Sequence, residues 1–532
     1  KYGYHFICWQ DSEEVDISKD AIYSTIVTKQ IDYVAIFGKN VYQITTESTD
    51  NTKGHVDAVT HAEYLDEVIL TAVPDVGYYF TQWNDGNTDN PRTIILTQDT
   101  AFAASFEIAT SGSCGEDAFW SYQDGHLSIS GQNDMYDYSG YSSTPWMLYR
   151  EQIKSVSIAD GVMRIGSNAF SNCTNLETIE IPNSVREIAE MAFTNCGKLT
   201  TFTVPEQTTH IAANAFTGCA GITSITWNAI SYQDSQKAST SPLKPLSEQI
   251  TTFIVGEKVK YIPANLLPTM PALNTVNWNA VAGDDYYAHN NTPFYTNRDQ
   301  IKVFTIGDNV EYIPEYLCYN LNAITAVQLP NTVTSVGAYA FAECSKLKDI
   351  AMGTALKVIG YRAFANCESI VELHIGESVE TIDRYAFYNC NAVTKISIGS
   401  HVNWIGDHAF DNCTQVEEIY CYAPNPPTAE RRTFYSYTPI LRVSYTAGAL
   451  YRSDSIFGLF NTIGYYDNTG VEDLVIDGIT ITNGTIHCNE PFTIYDLLGN
   501  NVTASNGSLQ GVYIVRTASA AQKVVLNSNI NL

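Results

Sequence analysis

Residues 176–196 form one unit of a repeat, Leu176-Glu-Thr-Ile-Glu-Ile-Pro182, then Asn-Ser-Val-Arg-Glu-Ile188, and at the end Ala192-Phe-Thr-Asn-Cys196. The alternation Leu-x-x-Ile-x-Ile predicts a short strand, and Pro182 stops it because proline cannot donate to a sheet ladder. The rest of the unit predicts a turn and a short irregular or helical return. The Ala-Phe pair and its cysteine recur at a constant interval of ~23 residues within each run. The ladder cysteines are Cys173, Cys196, Cys219, Cys344, Cys367, Cys390 and Cys413.

A unit of this length cannot bury its own apolar stripe, so neighbouring units must stack. Each strand then adds to a parallel sheet at a rise of about 4.8 Å. Counting units from Ile153 to the strand that holds Cys421 gives about twelve. The sequence therefore predicts a solenoid that is mainly β, with α/β character in the returns.

Two repeats are longer than the others. Their insertions, Ile230–Gln249 and Val281–Gln300, recur at the same place in two successive long-plus-short pairs, so we expect them two repeats apart on the same face. Tyrosine and tryptophan supply large rigid contact areas, and long loops without a periodic pattern are usually functional or disordered. We predict ligand binding here, with the alternative that the rings only cover the loops' own small cores. The candidate binding residues are Trp227, Tyr232, Trp278, Tyr286, Tyr287 and Tyr295.

The outward positions of the predicted strands offer a second candidate surface. They are polar and uncharged or mildly acidic, as in Thr201 and Thr203, and no code repeats along the row. A row of this kind is more often a solvated sheet face than a binding site.

The repeat unit closely resembles the BspA-like leucine-rich repeat family, and the match covers about Cys114 to Ile463. The resemblance implies a right-handed solenoid of about 12 repeats of ~23 residues, flanked by small all-β modules. Cys114 with Pro145-Trp146 is similar to the capping strands that open such a domain. We therefore place an N-terminal cap at residues 110–152 and the repeats at 153–466.

The segments on either side of the repeats resemble other modules. Gly3-Tyr-His-Phe recurs as Gly77-Tyr-Tyr-Phe80, and these segments resemble internalin B-repeat-like modules, a partial one at 1–38 and a whole one at 39–109. Residues 470–532 resemble the type A sorting domain of the type IX secretion system, although Asn500 replaces its usual basic residue and the chain runs on past the Lys523 strand. This resemblance implies export and attachment at, or release from, the cell surface.

Composition excludes several classes of function. The 532 residues include 57 acidic and 29 basic side chains, a formal charge of −28, and no basic patch marks a nucleic-acid binder. No apolar run approaches the roughly 18 residues of a membrane-spanning helix, so we expect no membrane insertion. The chain begins at Lys1 without a leader, so we expect that a signal peptide was removed or that a boundary was chosen.

No arrangement of residues indicates catalysis. The only histidines that share a repeat, His401 and His408, are too far apart in sequence to form a zinc pair, and there is no Cys-x2-Cys. The turn Asn84–Asn90 is rich in oxygens but lacks the spacing of a calcium loop, so a plain hairpin turn is the stronger interpretation. We predict no enzyme activity, no metal and no cofactor.

The even count of 12 cysteines is compatible with a disulfide framework, but the ladder spacing indicates otherwise. Stacked cysteines would have Cβ atoms near the rise of about 4.8 Å or farther apart, beyond the ~3.8 Å of a disulfide. We predict free ladder thiols. We also expect the adjacent asparagines, such as Asn195, to bond the backbone of the next repeat.

Taken together, the resemblances imply a secreted or cell-surface protein of a Bacteroidota-type bacterium. The function implied is adhesion, through binding of a host or bacterial surface protein or a glycan by the leucine-rich repeats, and we expect a monomer. The alternative is a structural spacer or surface-layer element whose binding module lies upstream of residue 1.

Overall fold

The computed structural model describes residues 2–232, 240–444, 446–466, 480–482, 485–488, 491–495, 501–506, 511–516 and 521–526. The chain divides into two units. The first contains residues 1–417 and 427–437, and the second contains residues 418–426 and 438–532.

The first unit begins with a small antiparallel sheet in the order β2-β1-β3. Its strands are β1 (Tyr4–Gln10), β2 (Asp16–Ser18) and β3 (Val34–Lys39). Cys8 is buried in β1, and Phe37 in β3 stays half exposed. This sheet occupies the residues for which the sequence predicts a partial module.

The next module has two sheets that enclose one apolar core. β10 is parallel to β4 and antiparallel to β8 in the sheet β6-β4-β10-β8, and β5-β7-β9 is antiparallel. Val68, Leu70, Trp83 and Phe106 lie in the core. The strands are β4 (Val41–Ser48), β5 (Gly54–Asp57), β6 (His61–Glu63), β7 (Glu67–Pro74), β8 (Tyr78–Trp83), β9 (Arg92–Ile95) and β10 (Thr100–Ile108).

Four strands lead from this module into the repeats. They are β11 (Ser111–Ser113), β12 (Ala118–Gln123), β13 (His126–Gly131) and β14 (Asn133–Asp134), and a 3-10 helix follows at Tyr141–Ser143. β11, β12 and β13 form an antiparallel sheet, and β13 also pairs in parallel with the first repeat strand, at Ser155–Ile158. The indole of Trp146 is buried and stacks on Phe170 at 6.0 Å between ring centroids, so an aromatic ring covers the first repeat.

Most repeats contribute a longer strand and a two- to four-residue strand, whereas the three described repeats that follow residue 220 contribute one strand each. In chain order they are β15 (Ser155–Ile158), β16 (Val162–Ile165), β17 (Thr178–Glu180), β18 (Glu187–Ile188), β19 (Thr201–Val204), β20 (His210–Ile211), β21 (Ser224–Trp227), β22 (Thr252–Val255), β23 (Thr275–Trp278), β24 (Val303–Ile306), β25 (Tyr312–Ile313), β26 (Ala326–Gln328), β27 (Ser335–Val336), β28 (Asp349–Ala351), β29 (Val358–Ile359), β30 (Glu372–His374), β31 (Thr381–Ile382), β32 (Lys395–Ile398) and β33 (Trp404–Ile405). Further 3-10 helices lie at Lys244–Leu246, His289–Asn291 and Tyr295–Asn297.

These strands pair in parallel from one repeat to the next, as the sequence predicts. The longer strands form ladders such as β19-β21-β22-β23-β24, and the shorter ones form β25-β27-β29-β31-β33. Thr252 pairs with Thr275 across a repeat of regular length, and Ser224 pairs with Thr252 across the repeat that holds the first insertion. The first insertion therefore leaves the ladder unbroken.

In the described part of residues 153–444 the returns follow the irregular alternative of the prediction, with turns and short 3-10 helices. The one α-helix of the described residues, α1 (Gly448–Ser453), lies within the predicted repeat range 153–466 and in the second unit. Residues in the left-handed region recur four positions apart in the returns, as at Asn168 (φ 58°) and Asn172 (φ 60°). A right-handed helix cannot continue through such residues.

The second unit holds two groups of strands. β34 (Glu418–Cys421), β35 (Ile440–Ser444) and β36 (Thr462–Tyr466) are parallel, with α1 and a 3-10 helix at Phe457–Leu459 between β35 and β36. Further along are β37 (Thr480–Thr482), β38 (Thr485–His487), β39 (Thr493–Tyr495), a 3-10 helix at Thr503–Ser505, β40 (Gly511–Arg516) and β41 (Ala521–Leu526). The sheet β39-β40-β41 is antiparallel, and the turn around Asn500 lies outside the described residues.

Candidate functional site

In seven of the described repeats the return is shaped by two residues with positive φ. The second of them is usually asparagine, which tolerates the left-handed region better than other side chains. It is occupied by Asn172, Asn195, Asn320, Glu343, Asn366, Asn389 and Asn412, with φ between 59° and 65°. Gly218 occupies the same position in the repeat of Phe216.

These asparagines bond to one another rather than to backbone, which corrects our expectation. Asn195 Nδ2 donates to Asn172 Oδ1 at 2.9 Å, and Asn389 Nδ2 donates to Asn366 Oδ1 at 2.8 Å. The bond to the next repeat's backbone is made by the backbone N–H of the asparagine, as from Asn172 N to the carbonyl oxygen of Thr194 at 2.7 Å. Because the turn directs the backbone N–H to that carbonyl, the side chain remains available to bond the equivalent asparagine of the adjacent repeat.

The ladder cysteines are buried between the turns, and all 12 cysteines are free thiols. Each ladder thiol from the second repeat of a run donates to a carbonyl oxygen of the preceding repeat, as from Cys367 Sγ to the Phe341 oxygen at 3.2 Å and from Cys390 Sγ to the Phe364 oxygen at 3.3 Å. Burial raises the pKa of Cys344 and of Cys413 to about 12. Thiols of this kind stay protonated and do not act as nucleophiles.

The structure places four of the six predicted binding residues inside the protein. Trp227, Tyr232, Trp278 and Tyr286 are buried. Tyr232 and Phe294 of the insertions pack against Trp227 and Trp278, and Tyr286 packs against Tyr261. These four side chains cover the loops' own cores, as the alternative interpretation expects. Tyr287 is 88% exposed. Tyr287 and Tyr295 therefore remain the two candidate binding residues of the second insertion.

Tyr295 is half-buried and borders a surface that our sequence analysis missed. The first left-handed position of the later repeats lies directly before the Ala-Phe pair or its equivalent, and it holds Tyr316, Tyr339, Arg362, Tyr385 and His408, with φ between 52° and 59°. We call these five residues the tyrosine–arginine ladder. Since the repeats stack in register, side chains that are one repeat apart in sequence become neighbours.

The rings of the tyrosine–arginine ladder stack face to face. The centroids of Tyr316 and Tyr339 are 4.6 Å apart with planes at 9°, and those of Tyr385 and His408 are also 4.6 Å apart with planes at 9°. Arg362 lies between the two pairs, and its guanidinium carbon is 4.5 Å from the Tyr385 centroid and 6.0 Å from that of Tyr339. The ladder is thus an aromatic stack with one cation at its centre.

Neighbouring rings widen this stack into a surface that we call the aromatic band. It consists of the ladder together with the rings that contact it or one another, Tyr361, Tyr388, Tyr319, His289 and Tyr295. His289 and Tyr295 belong to the second insertion, so this insertion extends the band. His289 is exposed and the other members are half-buried.

Two other surfaces are chemically plainer. The outward positions of β19 to β24 carry uncharged hydroxyls and amides, among them Thr203, Thr226 and Asn277, together with a few apolar side chains. An open cleft of about 730 Å³ is lined by Arg164, Glu187 and other residues, and in it Arg164 is already bound to Glu187 at 2.9 Å. Neither surface presents an unpaired charge of the kind that Arg362 carries.

The turn at residues 84–90 and the described helices are the features that bear on metal binding and on membrane insertion. In the oxygen-rich turn, both carboxylate oxygens of Asp85 accept hydrogen bonds from Arg92 at 2.9 Å, as in a plain hairpin. The part of the chain that the structure describes has no group of three His, Cys, Asp or Glu side chains placed to hold a metal ion. No helix in those residues is long and apolar enough to cross a bilayer.

Comparison with known proteins assigns two regions of the chain. Residues 147–274 and 288–417 match the family model for the BspA type leucine rich repeat region, and residues 44–110 match that for the divergent InlB B-repeat domain. No curated protein matches the chain.

Solved structures of leucine-rich repeat proteins are similar to part of the chain. A leucine rich cell surface protein from Faecalibacterium prausnitzii is 22% identical and covers 59% of this chain and 95% of its own, with a TM-score of 0.25. A leucine-rich repeat protein from Bacteroides ovatus is 17% identical and covers 66% and 98%, with a TM-score of 0.31. Two regions of this chain are thus similar to known families, one to the BspA type leucine rich repeat region and one to the divergent InlB B-repeat domain.

Proposed function

We propose that this protein is an exported, adhesin-like surface protein that binds another protein through its leucine-rich repeats. BspA-like leucine-rich repeat proteins of the cell surface are generally protein-binding and typically non-enzymatic. The observation that carries the proposal is the aromatic band on the later repeats. Its extracellular location is part of the proposal.

The chemistry of the band fits a protein interface. Tyrosine and arginine are enriched among the residues that contribute most to protein–protein binding, because they combine apolar contact with hydrogen bonding at a small entropy cost. The tyrosine–arginine ladder holds its rings in fixed positions through the stacks Tyr316–Tyr339 and Tyr385–His408. Since these side chains are ordered before a partner arrives, less entropy is lost on binding.

The wider architecture is part of the same proposal. We infer a right-handed solenoid of about twelve repeats over residues 153–466, with a cap at 110–152 and β modules at 1–38 and 39–109. Residues 470–532 are proposed as a sorting domain of the type IX secretion system. The antiparallel sheet β39-β40-β41 is compatible with that proposal.

Binding of the whole chain to immobilised surface ligands tests the proposal. Surface plasmon resonance would be measured over fibronectin, fibrinogen and mucin, and a glycan array would be probed in parallel. We expect micromolar or tighter binding to at least one of the proteins, as is typical of specific interfaces. Retention on none of these surfaces would reject the adhesin proposal.

A structural spacer is the second candidate. It is favoured by the burial of Trp227, Tyr232, Trp278 and Tyr286, which removes most of the rings predicted to bind. In that case the binding module lies elsewhere in the native protein, and no part of this chain retains a ligand. The same binding experiment therefore separates the two candidates.

A further inference from the structure

We propose that Arg362 is the anchor for a carboxylate of the partner protein, so that the partner docks on the aromatic band with an aspartate or a glutamate at its centre. This inference rests on the proposed function, because it names the chemistry by which the same surface recognises its partner. It is carried by the geometry around the guanidinium.

Arg362 has no acid to pair with among the described residues, although the chain has 57 acidic residues. Three other partly buried arginines each have a close carboxylate, Arg92 with Asp85, Arg164 with Glu187 and Arg442 with Glu418. No described carboxylate lies within 4.0 Å of the Arg362 guanidinium. A planar guanidinium is suited to bidentate bonding with a carboxylate, and this one is left without it.

The guanidinium is held in a fixed position. Arg362 Nε donates to the Tyr361 hydroxyl oxygen at 3.1 Å, and no described residue accepts a hydrogen bond from the two Nη atoms. Its carbon lies 4.5 Å from the Tyr385 centroid, 5.6 Å from that of Tyr361 and 5.7 Å from that of Tyr388. These tyrosines thus hold Nε and the central carbon of the guanidinium, and its two Nη atoms remain available to bond a ligand.

The surrounding rings favour a protein over a glycan. An aromatic ring attracts C–H groups and cations at its face and oxygen atoms at its edge. In the ladder the faces of Tyr316, Tyr339 and Tyr385 are already covered by one another or by His408 and Arg362. A sugar ring therefore finds few free faces on which to stack, whereas carboxylate and carbonyl oxygens meet ring edges and hydroxyls.

The charge of the molecule excludes a polyanion as the partner. With a formal charge of −28, the protein repels nucleic acids and heavily sulfated chains at a distance. A single carboxylate within an otherwise neutral protein surface avoids most of that repulsion. The ligand class is therefore a protein segment with one central acid.

The experiment probes the full chain with an array of N-acetylated, C-amidated random-sequence peptides. Each peptide that binds is remade with every Asp changed to Asn and every Glu changed to Gln. We expect the bound peptides to be enriched in acids, and a single amide replacement to raise Kd by roughly tenfold or more. Sialylated and neutral oligosaccharides and single-stranded RNA serve as the glycan and polyanion arms.

Variants of the chain test whether Arg362 is responsible for binding the acidic peptides. R362Q should lose the acidic peptides, and R362K should bind them weakly, because lysine keeps the charge but not the fork. The matched control is R384Q, which changes an exposed arginine of the next repeat and should bind as the wild type does. Far-UV circular dichroism and Tm verify that each variant is folded.

Three results would overturn the inference. They are bound peptides without acid enrichment, binding by R362Q equal to that of the wild type, and retention of the acidic glycans or RNA in place of peptides. Fibronectin or fibrinogen binding that survives R362Q would reject this inference and leave the proposed function standing. Loss of all protein and peptide binding in the wild type would reject both.

Discussion

At the scale of single residues, the left-handed positions explain both the fold and the candidate site. Asparagine at the second position makes the turn possible and links repeats through its side chain, as between Asn389 and Asn366. The first position has the same left-handed backbone but is not restricted to asparagine, and its side chain varies from repeat to repeat. It carries Asn168 and Met191 in early repeats and Tyr339 and Arg362 in later ones.

The hydrogen bonds between stacked asparagines predict that two substitutions of Asn389 destabilise the protein to different degrees. Asn389→Ala removes the side-chain bonds to Asn366 and Asn412 and places a Cβ-bearing residue without local bonding at φ 59°, so we expect a loss of about 2–3 kcal/mol. Asn389→Gly loses the same bonds but tolerates the angle, so its loss should be about 1 kcal/mol smaller. Urea unfolding of the full chain measures both. Equal losses would show that the backbone angle carries no cost.

The buried thiols predict a fall in stability at alkaline pH. An unfolded cysteine ionises near 9.0, whereas Cys344 and Cys413 have a pKa of about 12 in the folded chain. The folded state holds the proton more tightly, so the stabilisation is complete below pH 9.0 and is lost as the pH rises toward about 12. The expected slope is about 1.4 kcal/mol per thiol and pH unit.

Urea midpoints at increasing pH test this prediction. Other buried groups also ionise in this range, so the control is the double variant Cys344→Ala, Cys413→Ala, whose stability should fall less steeply. A slope identical to that of the wild type would contradict the assigned cause. Labelling of Cys344 or Cys413 by a thiol reagent below pH 9 in the native state would contradict the burial of these two thiols.

At the scale of elements, the repeats are held together by a column of phenylalanines. Phe341 and Phe364 stack at 5.2 Å, Phe364 and Phe387 at 5.3 Å, and Phe387 and Phe410 at 5.6 Å, with planes within 4°. The rings are buried and follow the same register as the strands. One ring thus contacts two repeats, which couples neighbouring units.

Removing one ring from this column should be costly. Phe364→Ala leaves a cavity between two stacked rings, and we expect a loss of about 3–5 kcal/mol in the free energy of unfolding. Phe364→Leu keeps most of the volume and should lose less than about 1.5 kcal/mol. Phe119→Ala, at a ring that is 50% exposed, is the control and should change little. A similar loss at Phe119 and Phe364 would refute the column's role.

The second insertion predicts opposite outcomes for two adjacent tyrosines. Tyr286 is fully buried and Tyr287 is 88% exposed. Tyr286→Ala should destabilise the chain by about 3–5 kcal/mol through a cavity, whereas Tyr287→Ala should leave stability within about 0.5 kcal/mol. Thermal unfolding measures the difference, and ligand binding measures whether Tyr287 contributes to recognition. Unchanged affinity in Tyr287→Ala would remove this residue from the candidate site.

The strands and returns of the repeats show which structural features can be predicted from the repeated sequence pattern. Leu-x-x-Ile-x-Ile predicts the strands, their parallel pairing and the ladder cysteines, because apolar spacing alone requires these positions to be buried. The spacing does not reveal that the returns are turns rather than helices, since that depends on φ at residues such as Asn168 and Asn172. The burial of Trp227 and Trp278 also escapes prediction, because an aromatic side chain suits a core and an interface equally.

At the scale of the whole molecule, the aromatic band escapes prediction for a related reason. Tyr316, Tyr339 and Arg362 lie in successive repeats and do not repeat a single residue type, so only stacking in register makes them one surface. A search of the position before each Ala-Phe pair would have found them. The charge of −28, by contrast, is read directly from composition, and its consequence is the exclusion of polyanionic partners.

Comparing the two candidate faces of the repeats tests whether the protein binds a partner protein through Arg362 of the aromatic band. Equilibrium binding of the full chain to fibronectin, fibrinogen, mucin and the glycan array would be measured for the wild type, for R362Q and for the double variant Thr203→Ala, Thr226→Ala on the strand face. We predict a protein ligand, a rise in Kd of roughly tenfold or more in R362Q, and unchanged binding in the strand-face variant. Binding that depends on Thr203 and Thr226 but not on Arg362, or no binding at all, would contradict it.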